Sequence, residues 1–218
     1  MHARGQVVSV RLPGDTDSAK LAGSLNALTP EGIAVKKVRR VSRSFDARDG
    51  AASRTYRYFL STDKVLSPFW TRYCWHVGHR LDMSLMEAAA AATIGQHDFT
   101  GFTPAVTEHT YFRRTVKRCA WHRVRGETGM LRLEIEADAF LRHMVRALVG
   151  NMVEVGEGKR DLAAYQTLLD GVDREVSGVT APAHGLCLWK IKYGGARSAQ
   201  LTRVSSRVVT EAEEEAME

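Results

Sequence analysis

The sequence predicts an α+β fold built around a mostly antiparallel sheet. In several short runs apolar and polar residues alternate, as Leu131, Leu133 and Ile135 do with Arg132, Glu134 and Glu136. In others the apolar residues recur at helical spacing, as in Leu141, Val145, Leu148 and Met152. The runs read βαβ, then β(β)α, then ββα(α)β. A doubly wound parallel sheet would need strict alternation, which this order lacks.

Val8, Val10 and Leu12 alternate with Ser9 and Arg11, and Pro13-Gly14 closes that run as a turn, so a strand is expected at the N-terminus. Asp15 to Ser18 offers capping oxygens, and Leu21, Leu25 and Leu28 then share one helical face. Thr29-Pro30-Glu31-Gly32 ends the helix, and residues 33–41 read as a second strand. The polar stretch 42–53 separates two halves, with the boundary placed between residues 44 and 45. A β-rich run at 55–60 and an aromatic segment at 69–76 follow, then a helix over about 84–94 with Gly95 at C′. Residues 97–102 form a loop anchored by Phe99 and Phe102. Strands at 114–125 and 130–136, a helix over 140–155 and a shorter one from Asp161 to Leu169 come next. A last strand spans 185–193, and an acidic, disordered tail occupies 196–218.

The 218 residues carry a formal charge of +6. Residues 1–196 hold 28 Lys and Arg against 20 Asp and Glu, a balance that favours a polyanionic partner such as RNA or DNA. No apolar run is long enough to cross a membrane, and MHARGQVVSV lacks the apolar core of a signal peptide. Cys74, Cys119 and Cys187 are odd in number and far apart, which argues against a disulfide framework and for the reducing cytoplasm. The spacing of Cys74, His76 and His79 matches no standard ligand set, so no metal is expected. Glycine-rich nucleotide loops and hydrolase motifs are absent, and no cofactor is expected.

Chemistry is most legible where basic and aromatic residues interleave. Arg54-Thr55-Tyr56-Arg57-Tyr58 places Tyr56 and Tyr58 on one face of a strand and Arg57 on the other. An aromatic plane beside guanidinium charge suits a splayed-out base, and a strand with one core face and one solvated face fits the same pattern. Arg113-Arg114, Lys117-Arg118 and the Lys36 to Arg40 cluster fit a phosphate track or an ordinary solvated face. Arg146 lies at the edge of the strongest apolar helix stripe, with Arg142 and His143 expected on the same flank. An arginine there either pairs with a carboxylate or snorkels to solvent.

These residues resemble the tRNA pseudouridine synthase A family. The likeness spans nearly all of residues 1–193. It runs through Phe45-Asp46-Ala47-Arg48, Arg54-x-Tyr56-Arg57-Tyr58, Gly95-x-His97-Asp98-Phe99-Thr100-x-Phe102, Ala139-Phe140-Leu141-x-x-Met144-Val145-Arg146, and Ala181-Pro182-Ala183-His184-Gly185-Leu186. The resemblance implies a pseudouridine-synthase-type fold of two RRM/ferredoxin-like halves, the first incomplete here. It implies a homodimer that isomerises uridine to pseudouridine in the anticodon arm of tRNA, without cofactor or metal. Tyr56 would stack on the target base, Arg146 would pair with a nucleophilic Asp, and Arg54 and Arg57 would help bind RNA.

The family's Asp motif precedes its Gly-Gln-Val strand, and Gly5-Gln6-Val7 opens this chain almost at once. The nucleophile is therefore expected three residues upstream of Met1, the sequence being N-terminally truncated relative to the family either by a miscalled start or by a genuine truncation. Asp46, Asp49 and Asp98 match no such motif and suit turns or caps. The 218 residues alone are expected to be inactive, and a catalytically dead RNA-binding remnant is the alternative.

Overall fold

The computed structural model describes residues 1–107, 110–172 and 176–194. The acidic tail expected over 196–218 lies outside them. The fold divides into two units, one of Met1–Gln6 with Ala52–Lys192, the other of Val7–Ala51 with Tyr193 onward.

The larger unit is one seven-stranded sheet. Its strands are β1 (His2–Ala3), β2 (Ser53–Ser61), β3 (Trp75–His76), β4 (Gly95–Asp98), β5 (Arg113–Arg123), β6 (Met130–Ala137) and β7 (Leu186–Lys192). They run in the order β1-β7-β2-β6-β5-β4, with β3 beside the end of β2. The short β1 runs parallel to β7 and the short β3 parallel to β2, and the other ladders are antiparallel. Alternation is what makes β6 a central strand. Leu133 and Ile135 are fully buried on one face with Tyr58 and Leu60 of β2, while Glu134 turns to the other.

Three helices complete this unit: α2 (Met83–Ala92), α3 (Met144–Gly156) and α4 (Leu162–Thr167). Asp82 and Asp161 cap α2 and α4 by accepting the N–H groups of Leu85 and Ala164. The stripe of α3, including Met144, Leu148 and Met152, is wholly buried in the core shared with Tyr58, Leu133 and Ile135. Phe99 and Phe102 anchor their segment as expected, both fully buried. That segment is not a plain loop, because residues 95–98 pair with β5. Gly95, expected at C′ of α2, instead opens β4; Thr93 is the C-cap.

The largest departure in this unit is the start of α3. Helical spacing puts it at Phe140, but His143 adopts a left-handed φ of 64° and the helix begins at Met144. Residues 138–140 are committed elsewhere. Asp138 Oδ1 accepts the N–H groups of Thr115 and Ala139, and the Phe140 ring meets Tyr56 edge-on. Arg142 therefore lies before the helix and does not share a helical flank with Arg146.

In the smaller unit, α1 (Ser18–Leu28) forms with Asp17 as N-cap, its carboxylate accepting from Ala19 and Lys20. The strands expected at 8–12 and 33–41 do not form. Both segments lack a ladder partner among the described residues, and Val8 and Val10 remain about 70% exposed. An alternating pattern becomes a strand only when a neighbour completes its hydrogen bonds. Side chains take over part of that role: Asn26 clasps Val35 through both its N–H and its carbonyl, and Arg40 donates to the carbonyls of Gly14 and Thr16.

Candidate active site

Strand pleating sorts the Arg54 to Tyr58 run between two faces. Arg54, Tyr56 and Tyr58 turn toward the helices, with Arg57 opposite. Arg54 donates from Nη1 to the Asp138 carbonyl at 3.2 Å. Tyr56 is half-buried, and its ring stands perpendicular to Phe140 with centroids 5.0 Å apart. Burial pushes the Tyr56 hydroxyl above its usual pKa, and the Arg54 charge partly offsets it.

Arg146, in the first turn of α3, reaches the same face. Its Nε donates to the Ala181 carbonyl at 2.6 Å, and its own carbonyl accepts the Ala181 N–H at 3.1 Å. Tyr58 lies nearby: its hydroxyl donates to the next carbonyl, Pro182, at 2.8 Å. Burial raises the Tyr58 pKa strongly, and the positive charge of Arg146 acts against that rise. The two Nη atoms of Arg146 have no hydrogen-bond partner among the described residues, and they are not sealed from solvent. No carboxylate among those residues forms an ion pair with Arg146.

Residues 177–182, which receive these bonds, are held along the length of α3. Asn151, fully buried, donates to Ser177 Oγ and accepts from Gly178; Glu154 accepts from Val179. Gly150 has no side chain because the Val179 carbonyl occupies the place of a Cβ. Sequence reasoning passed over Tyr58, Asn151 and Glu154 as working residues. The available signal was a Gly-Asn pair inside an apolar helix, where neither residue is a good helix former.

Arg57 is not brought to this cluster. On the opposite face its Nε donates to Glu134 Oε2 at 2.8 Å, and its guanidinium stacks 3.8 Å from the centroid of Trp189, which Arg4 also covers. Among the other basic residues, Arg118 also reaches Glu134, and Arg114 donates to the carbonyls of Tyr111 and Arg113. Two of the carboxylates set aside earlier, Asp46 and Asp98, serve turns. Asp46 accepts from the N–H groups of Arg48 and Asp49, and Asp98 from Thr100 N and Oγ1. Cys74 is buried, with its thiol pKa pushed up to about 11, while His76 donates to the Asp63 carbonyl and His79 bonds Glu157. Among the described residues, no helix is long and apolar enough to cross a membrane.

Tyr56 thus presents an aromatic plane, and Arg146 a guanidinium held at Nε, on one face of the sheet. Such a pair can stack a base and hold an anion.

Comparison with known proteins identifies the family. A family model described as tRNA pseudouridine synthase matches residues 89–194, which include Arg146 and the segment that holds it. The tRNA pseudouridine synthase A of Bacillus subtilis (strain 168) is 38% identical over 194 residues, covering 88% of this chain and 77% of that protein. The proteins of the same name from Chlorobium chlorochromatii (strain CaD3) and Roseiflexus sp. (strain RS-1) are also 38% identical, covering 88% of this chain and 77% and 71% of theirs. With relatives this similar along nearly nine-tenths of its length, the chain belongs to the tRNA pseudouridine synthase A family.

Proposed function

We propose that this protein is a tRNA pseudouridine synthase that isomerises uridine to pseudouridine in the anticodon arm, and that Tyr56 and Arg146 are its working residues. The observation that carries this reading is the unpaired fork of Arg146, held on the face where Tyr56 presents its ring. Tyr56 would stack on the uracil once it leaves the helix. Arg146 would hold a nucleophilic carboxylate ionised and oriented by charge. Arg54 would add positive charge beside the base, and Arg57 would act from the opposite face as a support of β2. A cytoplasmic, dimeric enzyme with two ferredoxin-like halves belongs to the same proposal.

A second reading, binding of tRNA without chemistry, is favoured by one observation: no carboxylate among the described residues meets Arg146. One experiment separates the two. The protein is incubated with a tRNA transcript, which is then treated with carbodiimide and read by primer extension, while binding is followed by filter retention. Stops in the anticodon arm that Arg146→Ala removes support the isomerase. Retention without stops is the outcome expected of these 218 residues alone and supports the binding reading. Neither stops nor retention would sink both.

A further inference from the structure

A guanidinium serves a reaction only if its fork points one way, and Arg146 carries a three-carbon stem that solvent alone would leave mobile. One backbone carbonyl, that of Ala181, holds its Nε. Ala181 is joined to residue 146 twice, through Nε to its carbonyl and through its N–H to the Arg146 carbonyl. Pro182, which has no N–H of its own, offers its carbonyl to the Tyr58 hydroxyl. One sheet residue and one helix residue therefore grip adjacent carbonyls of one short segment. Gly185 permits this closeness: a Cβ there would lie 2.7 Å from the Tyr58 ring and 2.8 Å from the Phe59 carbonyl.

We infer that Tyr58 is a positioning residue for Arg146: by fixing the Pro182 carbonyl, its hydroxyl holds the Ala181 carbonyl where Nε must donate, and so aims the two free Nη atoms. The inference rests on the reading of Arg146 as the anion-holding arginine of the site. Tyr58 itself is fully buried, with no surface open to a substrate. A tyrosine chosen only for packing could lose its hydroxyl without consequence for Arg146.

The test uses the full chain labelled with nitrogen-15, with the Arg146 Nε–H signal identified by its disappearance in Arg146→Lys. Two things are measured: solvent exchange of that Nε–H, and affinity for a uridine-containing anticodon stem-loop. Tyr58→Phe is expected to speed the exchange and weaken the binding, each by about fivefold, the factor that the net worth of one hydrogen bond implies. Tyr165→Phe is the control, since it removes an equally buried hydroxyl that bonds Thr93 rather than the 181–182 segment. It should leave both readouts within about twofold, a margin below one hydrogen bond's worth. Exchange and affinity unchanged in Tyr58→Phe, or changed equally in Tyr165→Phe, would overturn the inference. If the parent binds no stem-loop while Tyr58→Phe still speeds exchange, the positioning stands and the proposed function falls.

Discussion

Arg57 and Glu134 face each other across the β2–β6 ladder, with Nε 2.8 Å from Oε2, on the face of the sheet opposite Tyr56. Both side chains are less than one-fifth exposed, and the guanidinium also covers Trp189. Removing Arg57 would leave a partly buried carboxylate with only the longer pair to the exposed Arg118, at 3.4 Å. Arg57→Met is expected to cost about 2 kcal/mol, between the values for exposed and buried pairs. Urea unfolding measures this, and a change below about 0.5 kcal/mol would place the pair in the weak, exposed class.

Acid stability should fall in two stages. Burial, with help from the Arg132 charge, lowers the pKa of His122, so the unfolded chain takes up that proton before the folded one does. Stability is therefore lost as pH drops through the usual histidine range, around pH 6.5. For Glu134, burial raises the pKa but the hydrogen bond and charge of Arg57 outweigh it, leaving the carboxyl below its ordinary value; Glu136 behaves likewise through Ser53 and Lys192. Their contribution is present above the unfolded pKa and lost as pH falls below about 5. Melting temperatures recorded from pH 8 to 3 should show both stages, with His122→Gln removing the upper and Glu134→Gln shrinking the lower.

Gly150→Ala has opposite expectations from local and tertiary arguments. Helix propensity alone favours alanine by about 1 kcal/mol. The Val179 carbonyl fills the space a methyl would need, and overpacking of this kind costs about 1–3 kcal/mol. The variant should melt lower than the parent. Melting higher would mean that the 177–182 segment yields easily.

Tyr56→Ala should weaken stem-loop binding by about tenfold or more, the usual loss when a base gives up an aromatic stacking partner. Tyr56→Phe keeps the ring and its edge-on contact with Phe140, and should retain affinity. Fluorescence anisotropy with a labelled anticodon stem-loop distinguishes the two. Equal losses in both variants would assign the effect to the hydroxyl instead.

Much of the fold was legible because local and tertiary preferences agree. β6 alternates and is mostly buried, and α3 carries one apolar stripe and packs it. Where they disagree, the prediction failed. Residues 8–12 alternate as a strand does, yet no described strand completes their hydrogen bonds. Phe140 continues the helical spacing, yet its ring is used against Tyr56, and His143 turns the chain before α3 begins.

The sequence by itself determined the fold class, the two faces of the Arg54 to Tyr58 run and the family, because pleat and motif order are local properties of the chain. Only the tertiary structure decided what each arginine does. Arg57 and Arg146 look alike in sequence, each a cation beside apolar neighbours. One meets Glu134 and an indole and becomes a brace; the other donates from Nε to a single backbone carbonyl and keeps its fork unpaired among the described residues. That difference lies in partners from distant parts of the chain, which no local pattern encodes.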